Sequence, residues 1–368
     1  MKILFFGKFD FSSLAGGIER YVYQLRTHLP ADYQNINLVS NTENKTVFGS
    51  NTVKARSWGY LASTSICPSM PFILNKLLRR ESPDIIHIQF PDPMAHLSYL
   101  LCPRYKTKLV VSWHSDIIKQ KKVLKFYQPF LNAFLKKVDA VIVHSETLKT
   151  SEQLSSVPRN KIHVIPIGVE RPTVKIKSLR DTMPKGFILF SVGRHVSYKG
   201  YDYLIKAFSK LPEDSYLYLG GIGPETPKLQ ELTRSLNIEK RVQFIGYIPD
   251  EDLGSYVNAC DVFCFSSISQ NEAFGITQIE AMLLEKPVVG FELFNGTTFV
   301  NKNNVTGLVV ENKNISAYAE ALLLLKNNPP LRQKLGRQAK ERASELFSVE
   351  KMVSDTVKLY KEVTSQPQ

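Results

Sequence analysis

A chain of 368 residues with 47 Lys and Arg against 34 Asp and Glu, a net charge of +13, is too long for one ordinary domain and suits two of roughly 150–200 residues. Its 43% apolar content is that of a soluble globular protein, and no apolar run approaches the roughly 18–20 residues of a membrane span. The basic excess points to an anionic partner (nucleic acid, an acidic membrane surface or a phosphorylated substrate), while Cys67, Cys102, Cys260 and Cys264 have neither metal-ligand nor redox spacing, and Cys260 and Cys264, four apart in an apolar run, read as buried thiols of a reducing compartment.

Lys2–Phe6 is a short apolar run ended by Gly7-Lys8, too soon for a signal-peptide core, and reads as a buried first strand. A polar loop leads to Ala15-Gly16-Gly17-Ile18-Glu19-Arg20 and a helix-period segment carrying Ile18, Val22, Leu25 and Leu29. Strand, glycine turn and helix begin a doubly wound α/β domain, in which ligands gather at the carboxyl ends of strands. Paired glycines there let a backbone approach a phosphate closely, although many strand-to-helix turns use Gly for geometry alone.

Further strands are predicted at Asn37–Ser40, Ile85–Ile88, Leu109–Ser112 and Ala140–His144, and their alternation with helical sequence predicts a mainly parallel sheet. His114 follows the third of these, where active sites of this architecture lie; His87 and His144 are placed similarly, so position alone does not single it out. From Cys102 to Lys137 nine basic residues stand against one acid, Asp116. With Val123, Leu124, Phe126, Tyr127, Phe130, Leu131, Phe134 and Leu135 interleaved, the Lys119–Lys137 region reads as a helix for an anionic membrane surface or as an amphipathic core element with a solvated face. Pro129 is expected to break or kink it.

Periodicity is lost from Ile165 to about Lys185, which reads as a linker, and strand–helix alternation resumes at Phe187–Val192. Strands at Tyr216–Gly220, Val242–Ile245, Val262–Phe265, Pro287–Phe291 and Leu308–Val310 follow, with a helix over Tyr203–Leu211. Two such domains facing each other would leave a cleft for a ligand.

Within the second half, Asn271-Glu272-Ala273-Phe274-Gly275-Ile276-Thr277-Gln278-Ile279-Glu280 puts two carboxylates eight residues apart around a glycine that opens an apolar helix. The first N–H groups of that helix would lack intrahelical partners and form an anion site backed by the helix dipole. Arg194 and Lys199, in Ser191-Val192-Gly193-Arg194-His195-Val196-Ser197-Tyr198-Lys199-Gly200, follow the strand Phe187–Val192. A planar guanidinium and a compact ammonium there would hold a diphosphate without a metal.

Gly193-Arg194 with Lys199-Gly200, Gly221-Ile222-Gly223-Pro224, Val242–Gly246, Glu272-Ala273-Phe274-Gly275 and Glu280-Ala281-Met282 together resemble glycosyltransferase family 4 along essentially the whole chain. The resemblance implies a GT-B architecture: two Rossmann-like doubly wound α/β domains facing across a cleft. Residues 1–168 would bind the acceptor and 169–348 the nucleotide-sugar donor, and 349–368 would form a C-terminal helix returning to the first domain. It also implies a retaining, metal-independent hexosyltransferase with no cofactor beyond its nucleotide-diphosphate sugar.

Carried onto this sequence, the resemblance assigns Arg194 and Lys199 to the diphosphate and leaving-group charge, Glu280 to the ribose hydroxyls, and Glu272 to the transferred sugar. Main-chain N–H groups around Phe274, Gly275, Ile276 and Thr277 would assist, Gly16 and Gly17 would cover the diphosphate, and Tyr247 and Ile248 would carry the base. His114 matches the family histidine near the anomeric centre; Ser115 separates it from Asp116 where the family usually has His-Asp, which puts the role of Asp116 in doubt. The catalytic set is then His114, Glu272, Arg194 and Lys199.

Trp113–Lys122 and Phe299–Gly307 look most like bacterial mannosyltransferases of surface polysaccharide and lipopolysaccharide synthesis, including O-antigen, which leans to GDP-mannose over a UDP-hexose. The expected acceptor is a saccharide or polyprenyl-linked saccharide, at the cytoplasmic face of the plasma membrane. The alternatives are a nucleotide-sugar epimerase of the same fold, separable by its products, and a pyridoxal phosphate phosphorylase, which needs a Schiff-base lysine and a much longer chain. A nucleic-acid binder rests on net charge alone, and no nucleic-acid motif supports it.

Overall fold

A computed structural model describes residues 1–11, 16–61, 64–103, 105–117 and 121–365, with the backbone only at Leu61 and 121–126. Arg104 and Lys119 of the basic stretch, and Ala15 of the glycine loop, lie outside the described residues. The chain divides into two compact units, Met1–Gly168 with Val349–Gln368, and Val169–Ser348.

In chain order the first unit contains β1 (Lys2–Phe6), β2 (Gln34–Ser40), β3 (Val47–Phe48), β4 (Thr52–Ala55), a small hairpin of β5 (Tyr60–Leu61) and β6 (Thr64–Ser65), then β7 (Ile85–Phe90), β8 (Lys108–Trp113), β9 (Ala140–Val143) and β10 (Ile162–Val164). Its sheet has the order β10-β9-β8-β7-β1-β2-β4-β3. Only the edge pair β3–β4 is antiparallel among the described pairs of this sheet. Every residue of β7 and β9 is buried, as strands covered by helices on both faces require. The strand order reverses between β1 and β7, which makes the crevice beyond Phe6 and Phe90 the topological switch point.

The second unit contains β11 (Phe187–Val192), β12 (Ser215–Gly220), β13 (Val242–Gly246), β14 (Val262–Phe265), β15 (Val288–Phe291) and β16 (Gly307–Val310). Their order is β13-β12-β11-β14-β15-β16, all parallel, with the switch point between β11 and β14. Arg194 and Lys199 follow β11 and Glu272 follows β14, so the second unit's charged candidates converge on that crevice.

One expectation is corrected in part, and one gains detail. Pro129 does not break its helix, which continues through it as Lys121–Leu135. Losing one backbone hydrogen bond to proline costs about 3 kcal/mol. Burying Leu131, Phe134 and Leu135 in the first unit's core contributes about 1.5–3 kcal/mol each, so packing wins. The aperiodic stretch read as a linker contains the boundary between the units, and its later part is tied to the second unit: Arg180 donates to the carbonyls of Ala259 (3.0 Å) and Gly186 (2.7 Å) and pairs with Asp261 at 3.1 Å. The Ile176 N–H also donates to Ser255 Oγ at 3.0 Å. Order made by such single long-range bonds leaves no period in a sequence.

The helix Val349–Ser365 belongs to the first unit and buries Val349, Met352, Val353, Thr356, Leu359, Tyr360 and Val363. Tyr360 is its polar anchor, with its hydroxyl 2.6 Å from Nδ1 of the buried His87. Tyr360→Phe leaves that nitrogen unpaired and is expected to lower the stability of the first unit by about 1–3 kcal/mol in urea unfolding; an unchanged midpoint would show that the bond contributes nothing.

Candidate active site

The second unit's site is set by two loops that touch. Gly200 has φ 63°, and a Cβ there would stand 2.2 Å from the carbonyl oxygen of Ser266, so only glycine lets the loop after β11 meet the loop after β14. Ser266 Oγ fastens the contact by donating to the Lys199 carbonyl at 2.8 Å. The close approach brings Lys199 Nζ to 2.5 Å from Glu272 Oε2, with side-chain exposures of only 15% and 13%. Ser267 Oγ donates to the same carboxylate oxygen at 3.2 Å, and Asn295 Nδ2 holds the Glu272 carbonyl at 2.7 Å. The Lys199 ammonium also lies 5.6 Å from the Phe265 ring centroid. For a lysine and a glutamate withdrawn this far from water, close contact with each other offsets the cost of desolvation. Arg194 lies exposed on the same loop, and its guanidinium makes no hydrogen bond or ion pair among the described residues.

Gly275, at φ 77°, opens the helix Ile276–Leu283. The Gln278 N–H returns to the Gly275 carbonyl at 2.9 Å, while the N–H groups of Ile276 and Thr277 stand at the start of the first turn. Phe274 turns its ring into the core against Phe347 and Phe299, so its backbone alone can serve a ligand. Glu280 is 3% exposed on the same helix. Beyond β13, Tyr247 is 73% exposed, whereas Ile248 is buried with its Cδ1 over Gly220.

Gly16, Gly17 and His114 belong to the first unit. Gly16 caps the helix Gly17–Thr27 in an extended conformation, and a Cβ on it would meet Glu19 Oε2 at 2.3 Å. His114 is buried, with Nε2 2.9 Å from the Gln89 side-chain amide and Nδ1 3.0 Å from His144 Nε2. His144 Nδ1 lies 2.9 Å from the Ile165 carbonyl. Tyr21 sets its ring edge against both imidazoles, at 5.0 and 5.1 Å between centroids, and shares a 2.9 Å hydrogen bond with Ser112. Asp116 is committed elsewhere: it accepts from Trp113 Nε1 at 2.9 Å and Ser151 Oγ at 2.7 Å, a bracing role for the loop after β8.

The comparisons with known proteins bear on both units. The family described as "Glycosyltransferase Family 4" matches residues 15–171, and the one described as "Glycosyl transferases group 1" matches residues 175–342. An O-antigen chain mannosyltransferase C of Escherichia coli is 31% identical over 376 aligned positions that cover 98% of each chain. The chain belongs to glycosyltransferase family 4. A D-rhamnosyltransferase, WbpZ, of Pseudomonas aeruginosa is also 31% identical to this glycosyltransferase, over 95% of this chain and 92% of its own. Among solved structures, a sucrose-phosphate synthase of Thermosynechococcus elongatus aligns with a TM-score of 0.82 at 21% identity, covering 98% of both chains. HepE of Anabaena in complex with UDP aligns with a TM-score of 0.79 at 19% identity, over 98% of this chain and all of that one. These likenesses establish the GT-B fold.

Sequence reasoning did not name Ser266, Ser267 or Asn295, which hold the glycosyltransferase's Lys199–Glu272 pair, nor Gln89 beside His114. A serine or amide at a strand's carboxyl end carries no pattern; only the switch-point position marks it.

Burial lowers the pKa of His87 and His96 to about 3 and of His144 to about 4, and it holds His114 well below the ordinary value. As pH falls below about 6.5 the unfolded chain therefore protonates at these four sites while the native unit does not, so their contribution is complete at neutral pH and lost on acidification. Asp92, raised by burial to about 6, and Glu19, also raised by burial, oppose this, because the native state keeps protons that the unfolded chain releases. With the histidines outnumbering the carboxylates, stability should fall from pH 7 to pH 5. Urea midpoints at pH 7, 6 and 5 measure this, and a flat profile would contradict the neutral histidine core.

Proposed function

We propose that this glycosyltransferase moves a hexose, with retention of anomeric configuration and without a metal, from a nucleotide-diphosphate sugar to a saccharide or polyprenyl-linked acceptor in O-antigen or related lipopolysaccharide synthesis. The observation that carries the reading is the secluded Lys199–Glu272 pair at the switch point of the second unit, beside the start of the helix Ile276–Leu283. Lys199 and Arg194 supply two cations for the diphosphate, and their charge stabilises the leaving group as its bond to the sugar breaks. The N–H groups of Ile276 and Thr277 face the same charge. Glu272 takes the hydroxyls of the transferred sugar, and Glu280 takes the ribose. Tyr247 and Ile248 border the base. Both ring nitrogens of His114 are already committed inside the first unit and its N–H donates to the Phe90 carbonyl at 3.2 Å, so we assign its sugar contact to its main-chain carbonyl.

GDP-mannose is the donor we favour, supported by the mannosyltransferase relative. A UDP-hexose is the second reading, supported by the UDP complex of HepE, and a deoxyhexose donor by the rhamnosyltransferase relative. We further propose peripheral attachment to an anionic inner membrane surface through the Lys119–Lys137 region. Among the described residues no helix is long and apolar enough to cross a membrane, and Lys136 and Phe130 are exposed on that region. The side chains of Lys121, Lys122 and Lys125 lie outside the described residues.

Screening nucleotide sugars for transfer and slow hydrolysis, with NMR of the product anomer, tests donor and stereochemistry together. GDP-mannose turnover with an α-linked product is expected, and inversion or exclusive use of another donor would contradict the assignment. Glu280→Gln should raise the donor KM about tenfold or more through the lost charge-assisted ribose bond. An unchanged KM would remove Glu280 from the site.

A further inference from the structure

His114 is held by a chain of hydrogen bonds whose direction can be deduced atom by atom. The Ile165 carbonyl can only accept, so His144 Nδ1, 2.9 Å away, carries a proton. With His144 neutral, its Nε2 is then an acceptor, and the facing His114 Nδ1 at 3.0 Å must donate. That leaves His114 Nε2 as an acceptor, 2.9 Å from the Gln89 amide. A carbonyl oxygen there would set two acceptors against each other, while Gln89 Nε2 would be buried with no partner. Turning the amide over resolves both: its NH2 donates to His114, and a carbonyl, the easier group to leave under-satisfied, takes the other position.

We infer that His144 and Gln89 are positioning residues for the transfer reaction: together they fix one tautomer of His114 and lock the loop after β8 that presents it. This rests on the reading of His114 as the residue beside the transferred sugar. The protons run one way, from Gln89 to His114 to His144 to the Ile165 carbonyl, and every ring nitrogen of the pair is used. The chain of bonds spans the carboxyl ends of β7, β8 and β9, three neighbouring strands of one sheet. Tyr21, edge-on to both rings, ties it to the helix that begins at Gly17. The glycine loop and the His114 loop are thereby set by one buried cluster. Because the bonds need neutral imidazoles of one tautomer, the free-histidine preference for a proton on Nε2 has to be overridden at both positions.

Two measurements on the full chain decide it. In long-range 1H–15N spectra of histidine-labelled protein at pH 7, His114 and His144 should both appear as neutral Nδ1–H tautomers; an Nε2–H tautomer or an imidazolium at either would overturn the inference. In kinetics, His144→Gln keeps one acceptor for His114 and one donor for Ile165, and should retain kcat within about threefold. His144→Phe keeps the ring volume but neither bond, and should lose about tenfold or more in kcat with donor KM nearly unchanged, as expected when a group beside the reacting atoms is displaced while donor binding is untouched. Equal losses in the two variants, or full kcat in His144→Phe, would overturn the positioning role. If His144→Phe does not fold, the Gln variant and the spectra still decide. A wild-type protein that transfers no sugar from any donor would refute the proposed function instead, and the spectra alone would then judge the hydrogen-bond chain.

Discussion

Lys199 and Glu272 face each other at 2.5 Å with little access to water, and much of the second unit is arranged to permit it. Moving either charge out of water alone costs several kcal/mol, so the pair is sustained only by close contact and by the Ser267 hydroxyl that shares the carboxylate. That contact requires the two loops at the switch point to touch, which requires glycine at 200 and, on the helix side, a left-handed residue at 275. Sequence, backbone and electrostatics therefore converge on one point: an ammonium paired with an internal carboxylate, which in the proposed function an external anion would replace. A diphosphate offers more negative charge than one carboxylate, and Arg194 adds a second cation without an internal claim on it.

The first unit solves its polar problem differently. Instead of paired charges it buries neutral imidazoles: His87 between Ser112 and Tyr360, and His114 between Gln89 and His144. Neutral groups are cheaper to desolvate than ions, and their directional bonds position loops accurately. The contrast matches the tasks proposed for the two units. One must attract and release a multiply charged nucleotide; the other must hold backbone and hydroxyl-sized groups steady beside a sugar.

Much of this was legible in the sequence because parallel sheets demand uninterrupted apolar runs. Phe187–Val192 and Val262–Phe265 were readable to the residue, and Gly275 was readable as a helix start because an apolar period of 3.6 begins directly after it. The edge strand Val47–Phe48 and its neighbour Thr52–Ala55 escaped, since segments of two and four residues are too short to carry a pattern. Pro129 misled because its local cost is visible in sequence and the packing that offsets it is not. At the site, Lys199 and Glu272 could be named from spacing and resemblance. Their mutual contact depends on loop closure between Lys199 and Ser266, 67 positions apart, which no local pattern encodes. His114 could be named, while the bonds that use up both its nitrogens could not.

The central claim is that Glu272 and a nucleoside diphosphate compete for Lys199. Calorimetric affinities for GDP, and for UDP as the second base, across Lys199→Met, Glu272→Gln and the double variant test it directly. The account predicts that Glu272→Gln tightens nucleotide binding about tenfold, some 1.4 kcal/mol, that Lys199→Met weakens it, and that the gain from Glu272→Gln vanishes when Lys199 is absent. A gain that persists without Lys199, or affinities that ignore both residues, would contradict it.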